Sequence, residues 1–575
     1  MLKLYRFLKP YTAMIIGVFL FVTLQTLGDL YLPTLMGDII NKGVMQGDTK
    51  KILQIGGLML LVAGAGVVCS VMASLLSSKV ATGLGTILRS RIFNRIESYS
   101  LNEFDKFGTA TLITRTTNDV TQIQTVTIMI MRLMISAPIT AVGGTILAYR
   151  KDRPLTLVLA VAIPVLAGVV AIIASRMIPL FKVVQLKIDR INLVLREKLT
   201  GVRVIRAFNT DERERKRFND ANVDLTGNYI KVNRIMAFMM PSIMLIMNLT
   251  SLSILWFGGI RISEGNMDLG ALSSFTQYAM QIMISMLMLA MMFIMVPRAQ
   301  AAAVRINEVL DTKPEIVDAE RTKDSFEGKG YVEFRDVTFS YHGAEEPALK
   351  NISFLAKPGE VTAIIGSTGA GKSTLINLIP RFYDVDSGSV LIDGVDVREI
   401  PQEVLRKKIG LVPQKAVLFS GTIAENIRVG NKDASEDEIK HAAKVAQAFE
   451  FIENMDGGFD HEISEGGTNV SGGQKQRLSI ARAIVRKPEI YIFDDSFSAL
   501  DFKTDAKLRA ALKNETAEST VIIVAQRVST IMDADRIIVL DEGRIVGMGT
   551  HSELMKECGV YREIVFSQLS EEEIA

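Results

Sequence analysis

Cysteine is almost missing from this 575-residue chain: Cys69 lies in an apolar stretch and Cys558 near the end of a soluble-looking region. Two thiols so far apart, in such different settings, exclude a disulfide framework and leave a reducing, cytosolic side as the expectation. Histidine is scarce too, and the 4 residues present have no clustered spacing, which argues against a zinc site. Charge of one sign is also lacking, with 65 Lys and Arg against 63 Asp and Glu and a formal net charge of +2. Charge therefore points to no acidic or basic partner, and no nucleic-acid partner is expected. No small-residue cleavage site follows a short apolar core near the N-terminus, so no removed signal peptide is expected.

What the chain has in abundance is hydrophobic sequence, 48% of all residues, almost all of the excess before residue 300. The length is too great for one core and implies several domains. Leu2 to Lys9 form a basic, amphipathic segment suited to a membrane surface. Six stretches long enough to span a bilayer follow, at 12–37, 52–78, 128–149, 154–178, 236–262 and 269–297. The connections after the first, third and fifth are short; those after the second and fourth run to about fifty residues, too long for turns. The long connections carry Lys79, Arg89, Arg91, Arg95, Lys106 and Arg115, then Lys182, Lys187, Arg190 and Arg196, while Arg150 to Arg153 are a local exception. The positive-inside rule then places both termini and both long connections in the cytosol. Ile188, Ile191, Leu195 and Leu199 keep helical spacing, so the spanning helices are expected to continue into the cytosol and turn back near 104–114 and 201–211. Gln25, Asp29, Asn248, Gln277 and Gln281 fall inside spans. Such groups either line a substrate path or bond helix to helix. Met280, Met283, Met286, Met288, Met291, Met292 and Met295 crowd the sixth span, which suits either an adaptable apolar cavity or plain lipid contact.

Beyond Pro297 the pattern becomes soluble. An amphipathic extension to Leu310 completes a first domain over 1–310, a polar linker occupies 311–330, and strands alternating with helices fill 331–575. The fold class is thus a multi-domain one, an all-α six-helix transmembrane domain fused to an α/β phosphate-loop nucleotide-binding domain. The apolar run Val361 to Ile365 leads into Gly366, Ser367, Thr368, Gly369, Ala370, Gly371, Lys372, Ser373 and Thr374, and a helix follows. Strand, glycine-rich loop and helix in that order form a phosphate cradle: glycines turn backbone N–H groups inward, Lys372 reaches the β- and γ-phosphates, and the Ser373 hydroxyl binds Mg²⁺. Tyr341 closes a strand about 25 residues upstream, where its ring could stack on adenine. Gln414 follows the strand 409–412, within reach of Mg²⁺ and an attacking water. Ser471, Gly472, Gly473 and Gln474 open a helix and form a second anion site. Asp494 ends a buried strand as the expected Mg²⁺ partner, Asp501 lies just beyond, and Gln526 follows the core strand 521–524. Two γ-phosphate sites in one chain suggest a dimer in which each site is completed by the other subunit.

Over nearly its whole length the chain resembles a half-transporter of the ATP-binding cassette exporter family. The resemblance implies ATP and Mg²⁺ as cofactors, Tyr341 as the adenine-stacking residue, 366–374 as the Walker A loop, Gln414 as the Q-loop residue, 471–474 as the signature, Asp494 as the Walker B carboxylate and Asp501 in the D-loop. Glu465 looks like part of the segment that touches the membrane domain, and 197–208 is similar to the connection that carries a coupling helix. Two positions depart from the family pattern. Where the family places a glutamate as catalytic base this chain has Asp495, one methylene shorter, which withdraws the carboxylate by about 1.5 Å. A misplacement of about 1 Å can cost roughly a hundredfold in rate. Where the family places a switch histidine there is Gln526, which cannot carry a charge. The signature core is intact. The combination implies a heterodimer with a second half-transporter, holding one degenerate and one competent ATP site. The expected activity is ATP-driven export of hydrophobic or amphipathic compounds, multidrug-type, from a cell or inner membrane, an ATPase whose own Walker site is slow. A homodimeric lipid or drug flippase, or a nucleotide-gated channel or regulator, is the alternative.

Overall fold

The computed structural model describes residues 1–318 and 328–568, apart from the side chains of residues 291, 293 and 294. Met291 of the methionine-rich span and residues 319–327 of the expected linker thus lie outside the described residues. Two compact units divide the chain, residues 1–97 with 109–312 and residues 98–108 with 313–575.

The first unit is built on α1 (Thr12–Asp38), α2 (Thr49–Glu97), α3 (Val120–Lys151), α4 (Thr156–Thr200), α5 (Asp211–Ser263) and α6 (Leu269–Asp311). Among the described residues, 6 helical stretches are long and apolar enough to cross a membrane. α2, α4 and α5 have 49, 45 and 53 residues, so each is roughly 65–80 Å long, when about 20 residues span a bilayer. The spans therefore run on as helices well past any hydrocarbon layer.

The second reversal comes where the sequence places it: α4 ends at Thr200, a short helix Val202–Ala207 follows, and α5 starts at Asp211. The first comes earlier than expected. α2 stops at Glu97, a short helix occupies Leu101–Phe107, and helix resumes at Thr109. Local chemistry fixes these ends. Ser100 and Glu103 form a capping box, and Gly108, at φ +72, terminates the short helix. Hydropathy does not register either signal.

Charges buried in the first unit are paired. In the π-helical turn Arg115–Asp119, Asp119 takes both Nε and Nη2 of Arg305 (2.8 and 2.5 Å), and Arg115 Nη1 meets Glu308 (2.8 Å). The charged connection at 150–153 also has a structural use. Asp152 accepts from the Leu155 N–H at the start of α4 and from Arg261 Nε on α5 at 2.6 Å, and Arg153 lies over the Tyr149 ring. The methionines of α6 differ in setting: Met283 is buried in the helix core, Met280 is exposed, and Met288 lines cavities with Gln25, Asp29, Gln277 and Gln281. Asn248 on α5 lines neither of those cavities.

The second unit holds strands β1 (Val332–Phe339), β2 (Leu349–Ala356), β3 (Val361–Gly366), β4 (Ser387–Ile392), β5 (Val395–Asp396), β6 (Ile409–Val412), β7 (Gly421–Thr422), β8 (Glu462–Ile463), β9 (Ile490–Asp494), β10 (Thr520–Val524), β11 (Arg536–Asp541) and β12 (Arg544–Gly549). The main sheet runs β12-β11-β3-β10-β9-β6, parallel except for β12; a smaller antiparallel sheet runs β2-β1-β4-β5; β7 and β8 pair separately. β9 and β10 read as unbroken apolar runs because both faces of a central parallel strand are covered.

Asp152→Ala is expected to destabilise the protein by about 2 kcal/mol, because it leaves a partly buried guanidinium without its partner and uncaps α4. Asp152→Asn, which keeps the cap, should cost less. Thermal unfolding of the two variants in detergent checks the order.

Candidate functional site

β10 lies between β3 and β9, with Val524 paired to Ile364 on one side and to Asp494 on the other. This register carries the C-terminal ends of three parallel strands to one edge of the sheet, the place where open α/β sheets hold ligands. The loop after β3 leads into α7 (Lys372–Leu378). Gly369 and Gly371 take φ of +88 and +94, conformations that side chains resist. A Cβ on Gly371 would also stand 2.8 Å from Leu349. Ser367, Thr368, Gly369 and Ser373 are exposed or half-buried, while Ala370 and Thr374 are buried and anchor the loop.

Lys372 folds back over the loop and donates to the carbonyls of Gly366 (2.8 Å) and Ser367 (2.7 Å). Burial lowers its pKa, against the opposing pull of Asp495 and Asp494. Its charge is therefore held near the loop by neutral acceptors, an arrangement ready to exchange carbonyls for phosphate oxygens. Ser373 donates to Asp494 Oδ1 at 3.2 Å, and burial raises the pKa of Asp494 while that bond opposes the rise. A hydroxyl and a carboxylate oxygen converging at a phosphate cradle are the donors that Mg²⁺ takes, with phosphate oxygens and water supplying the rest.

Gln414 gives its amide N–H to Asp495 Oδ2 at 3.3 Å, so the residue two beyond β6 and the residue after Asp494 meet. Asp495 has a positive φ of 45, and its N–H bonds Val524 O. Tyr341 donates to or accepts from Thr374 (2.9 Å), and its ring meets Tyr383 edge-on. Burial pushes the Tyr383 phenol up to about 12, so it stays neutral. Gln526 is exposed beyond the end of β10; its carbonyl accepts from Gln568.

The remaining candidates stand apart. Ser471 caps α8 (Gly472–Val485), accepting from Gln474 N, while the Gln474 side chain accepts from Ser471 N. Asp501 caps α9 (Phe502–Glu515) through Thr504 N. Among the described residues, no hydrogen bond or ion pair joins 471–474 or Asp501 to the phosphate loop. A Cβ on Gly472 would meet nothing within 4 Å. Neither the packing of this chain nor a positive φ calls for glycine there.

Two residues escape sequence reading. Gln476, almost fully buried on α8, donates to Pro413 O at 3.3 Å and so ties that helix to the loop after β6. Ser496, also buried, donates to Val412 O at 3.0 Å and fixes the turn after Asp495 to the end of β6. The one available signal is a polar residue at a position that helix or strand periodicity marks as inward.

The family model described as "ABC transporter transmembrane region" matches residues 14–286, and the one described as "ABC transporter" matches residues 349–498. An uncharacterized ABC transporter ATP-binding protein of Mycobacterium tuberculosis is 44% identical over 98% of this chain and 97% of its own. The chain belongs to the ABC transporter family. This ABC transporter is also 33% identical to an ATP-dependent lipid A-core flippase of Syntrophus aciditrophicus, over 90% of this chain and 85% of that one. It matches the solved structure of a bacterial Atm1-family ABC exporter with ATP bound at a TM-score of 0.82 and 27% identity, over 97% and 100% of the two chains. It is a multi-pass membrane protein and an ABC exporter half-transporter, an ATPase that couples ATP, with Mg²⁺, to transport.

Removing the Lys372 charge should weaken nucleotide binding tenfold to about a hundredfold, the range for a charged hydrogen bond. Equilibrium titration of Lys372→Ala with a fluorescent ATP analogue reads the loss.

Proposed function

We propose that this chain is one half of a heterodimeric exporter of amphipathic, lipid-like compounds, set in the cell or inner membrane with both termini in the cytosol. In this reading Lys372 and the loop 366–374 hold the terminal phosphates, Tyr341 packs against the adenine, and Ser373, Asp494 and Gln414 hold Mg²⁺. The metal supplies charge neutralisation at the phosphates. Asp495 is the group placed to accept a proton from an attacking water, and Gln526 stands where a charged side chain would otherwise face the γ-phosphate.

The observation that carries the proposal is the pairing of a short base with a neutral switch residue beside an intact signature. Asp495 is fixed by its backbone bond to Val524 and by Gln414, so a missing methylene cannot be made up by moving the chain. Ser471 to Gln474, by contrast, form a fully capped helix start with open space at Gly472. A competent site built from this signature and a second half-transporter's loop accounts for both facts. The long helices α2 to α5 would carry closure of the nucleotide-binding units to the spans, biasing a two-state element between inward- and outward-facing forms. The lipid-like substrate is supported by the flippase relative and by the methionine-rich α6, a surface that re-packs around varied apolar groups.

Reconstituted alone in nanodiscs, the chain should turn ATP over slowly, and Asp495→Glu combined with Gln526→His should raise the rate by about tenfold to a hundredfold. Brisk wild-type turnover without a companion chain would favour a homodimer and overturn the proposal. With a companion half-transporter present, Gly472→Glu should abolish turnover; full activity in that variant would remove this signature from the competent site.

A further inference from the structure

Three membrane helices each carry a polar stripe at helical spacing: Gln25 and Asp29 on α1, Arg132 and Ser136 on α3, Gln277 and Gln281 on α6. The fold turns all three stripes onto adjoining cavities of about 480 and 360 Å³, which share Asp29, Ser136 and Met288 as walls. Each volume lies within the few hundred to about 1,000 Å³ usual for small-molecule sites.

The charges in these walls are the unusual feature. Elsewhere in the unit, buried charges are paired, as in Arg305 with Asp119 and Arg261 with Asp152. Asp29 and Arg132 line one and the same cavity, yet among the described residues neither forms an ion pair, and Arg132 has no hydrogen bond. Gln281 donates to the Asp29 carbonyl at 3.1 Å, while its own Oε1 is buried and has no partner. A cation with no partner, an anion met only by the neutral amide of Gln25, and an orphaned acceptor, all within a membrane span, are expensive unless something arrives to meet them. A purely cationic guest would satisfy Asp29 and be repelled by Arg132; a purely anionic one would meet the reverse. Ile284 and Met288, both 43% exposed, flank the polar wall and offer apolar surface to a chain.

We propose that the transported compound is a zwitterionic amphiphile, its cationic group met by Asp29 and the free acceptor of Gln281, its anionic group by Arg132, and its apolar tail by α6. This rests on the exporter reading above and adds the charge pattern of the substrate.

The test uses the assembled exporter in proteoliposomes and three probes of equal chain length: a lysophosphatidylcholine, a fatty acid and an alkyltrimethylammonium. The readout is the concentration of each probe that half-maximally stimulates ATP turnover. In the wild type the zwitterion should act at a concentration at least tenfold below the other two. Arg132→Gln should erase the advantage of the zwitterion over the cation, and Asp29→Asn its advantage over the anion, while Arg132→Lys should retain the wild-type order. Equal response to all three probes in the wild type, or variants that shift all three alike, would overturn the proposal, the latter pointing to charges that only pair between subunits. If a variant does not fold, the wild-type order alone decides. Absence of stimulated ATP turnover with every probe would instead strike at the exporter reading, whereas stimulation without charge preference would sink only this inference.

Discussion

Ser373 and Asp494 touch at 3.2 Å although 121 residues separate them in the chain. What makes that contact obligatory is the register of three parallel strands, with Val524 opposite both Ile364 and Asp494. A slip of one residue in β9 would turn Asp494 to the other face and put Phe493 at the sheet edge. Packing resists that slip: Ile492 lies in one core and Phe493 in the other, and exchanging side chains of different volume between two close-packed faces is costly. The hydrophobic core of the nucleotide-binding unit therefore sets the position of its polar edge. Gln414 and Asp495 follow from the same constraint, because β6 pairs with β9 and ends one residue short of Pro413.

Electrostatics separates structural charge from working charge in both units. Arg305, Arg261 and Arg381 are each held by an aspartate, with side chains wholly or partly withdrawn from water. Removing one partner from such a pair is costly, so these pairs brace the fold. Lys372 and Arg132 are different. The first rests on backbone carbonyls, and the second has no partner among the described residues. A cation without a counter-ion in a site of restricted access is where a ligand's negative charge gains most. The two positions lie in separate units and, on the proposed readings, serve different guests, yet the same physical criterion singles out both.

The sequence carried much of this. Hydropathy located six spans, because a run of about 20 apolar residues matches the thickness of a bilayer and outlasts the one-sided stripe of a helix on a soluble core. The glycine spacing marked the loop between β3 and α7, where Gly369 and Gly371 take positive φ. Helical periodicity also showed which residues share a stripe, as in Gln277 and Gln281. It could not show that the stripes of α1, α3 and α6 converge, since that depends on the rotation of each helix against its neighbours. The first of the two long-connection reversals was misplaced for a similar reason: a capping box at Ser100 and a glycine at 108 act over a few residues, below the window in which hydropathy averages. Gln476 and Ser496 were invisible because their partners are backbone carbonyls 63 and 84 residues away, and any backbone carbonyl looks alike in sequence.

Asp495 brings the two levels of constraint together. Its φ of 45 lies in the left-handed region, which costs an ordinary side chain roughly 1–2 kcal/mol and suits aspartate better than most. Glutamate, whose longer side chain lacks the local hydrogen bonding that eases this conformation, would fit the backbone less well and reach further. The backbone cannot shift to compensate, because the Asp495 N–H is bonded to Val524 O and the next residue, Ser496, is tied to Val412 O. Comfort of the main chain and reach of the carboxylate thus pull in opposite directions at one residue, and this chain has settled on comfort. On the proposed reading the consequence is kinetic. A pocket that holds nucleotide but cleaves it slowly keeps the closed form populated for longer, and the return to the open form is left to the pocket whose base is of full length.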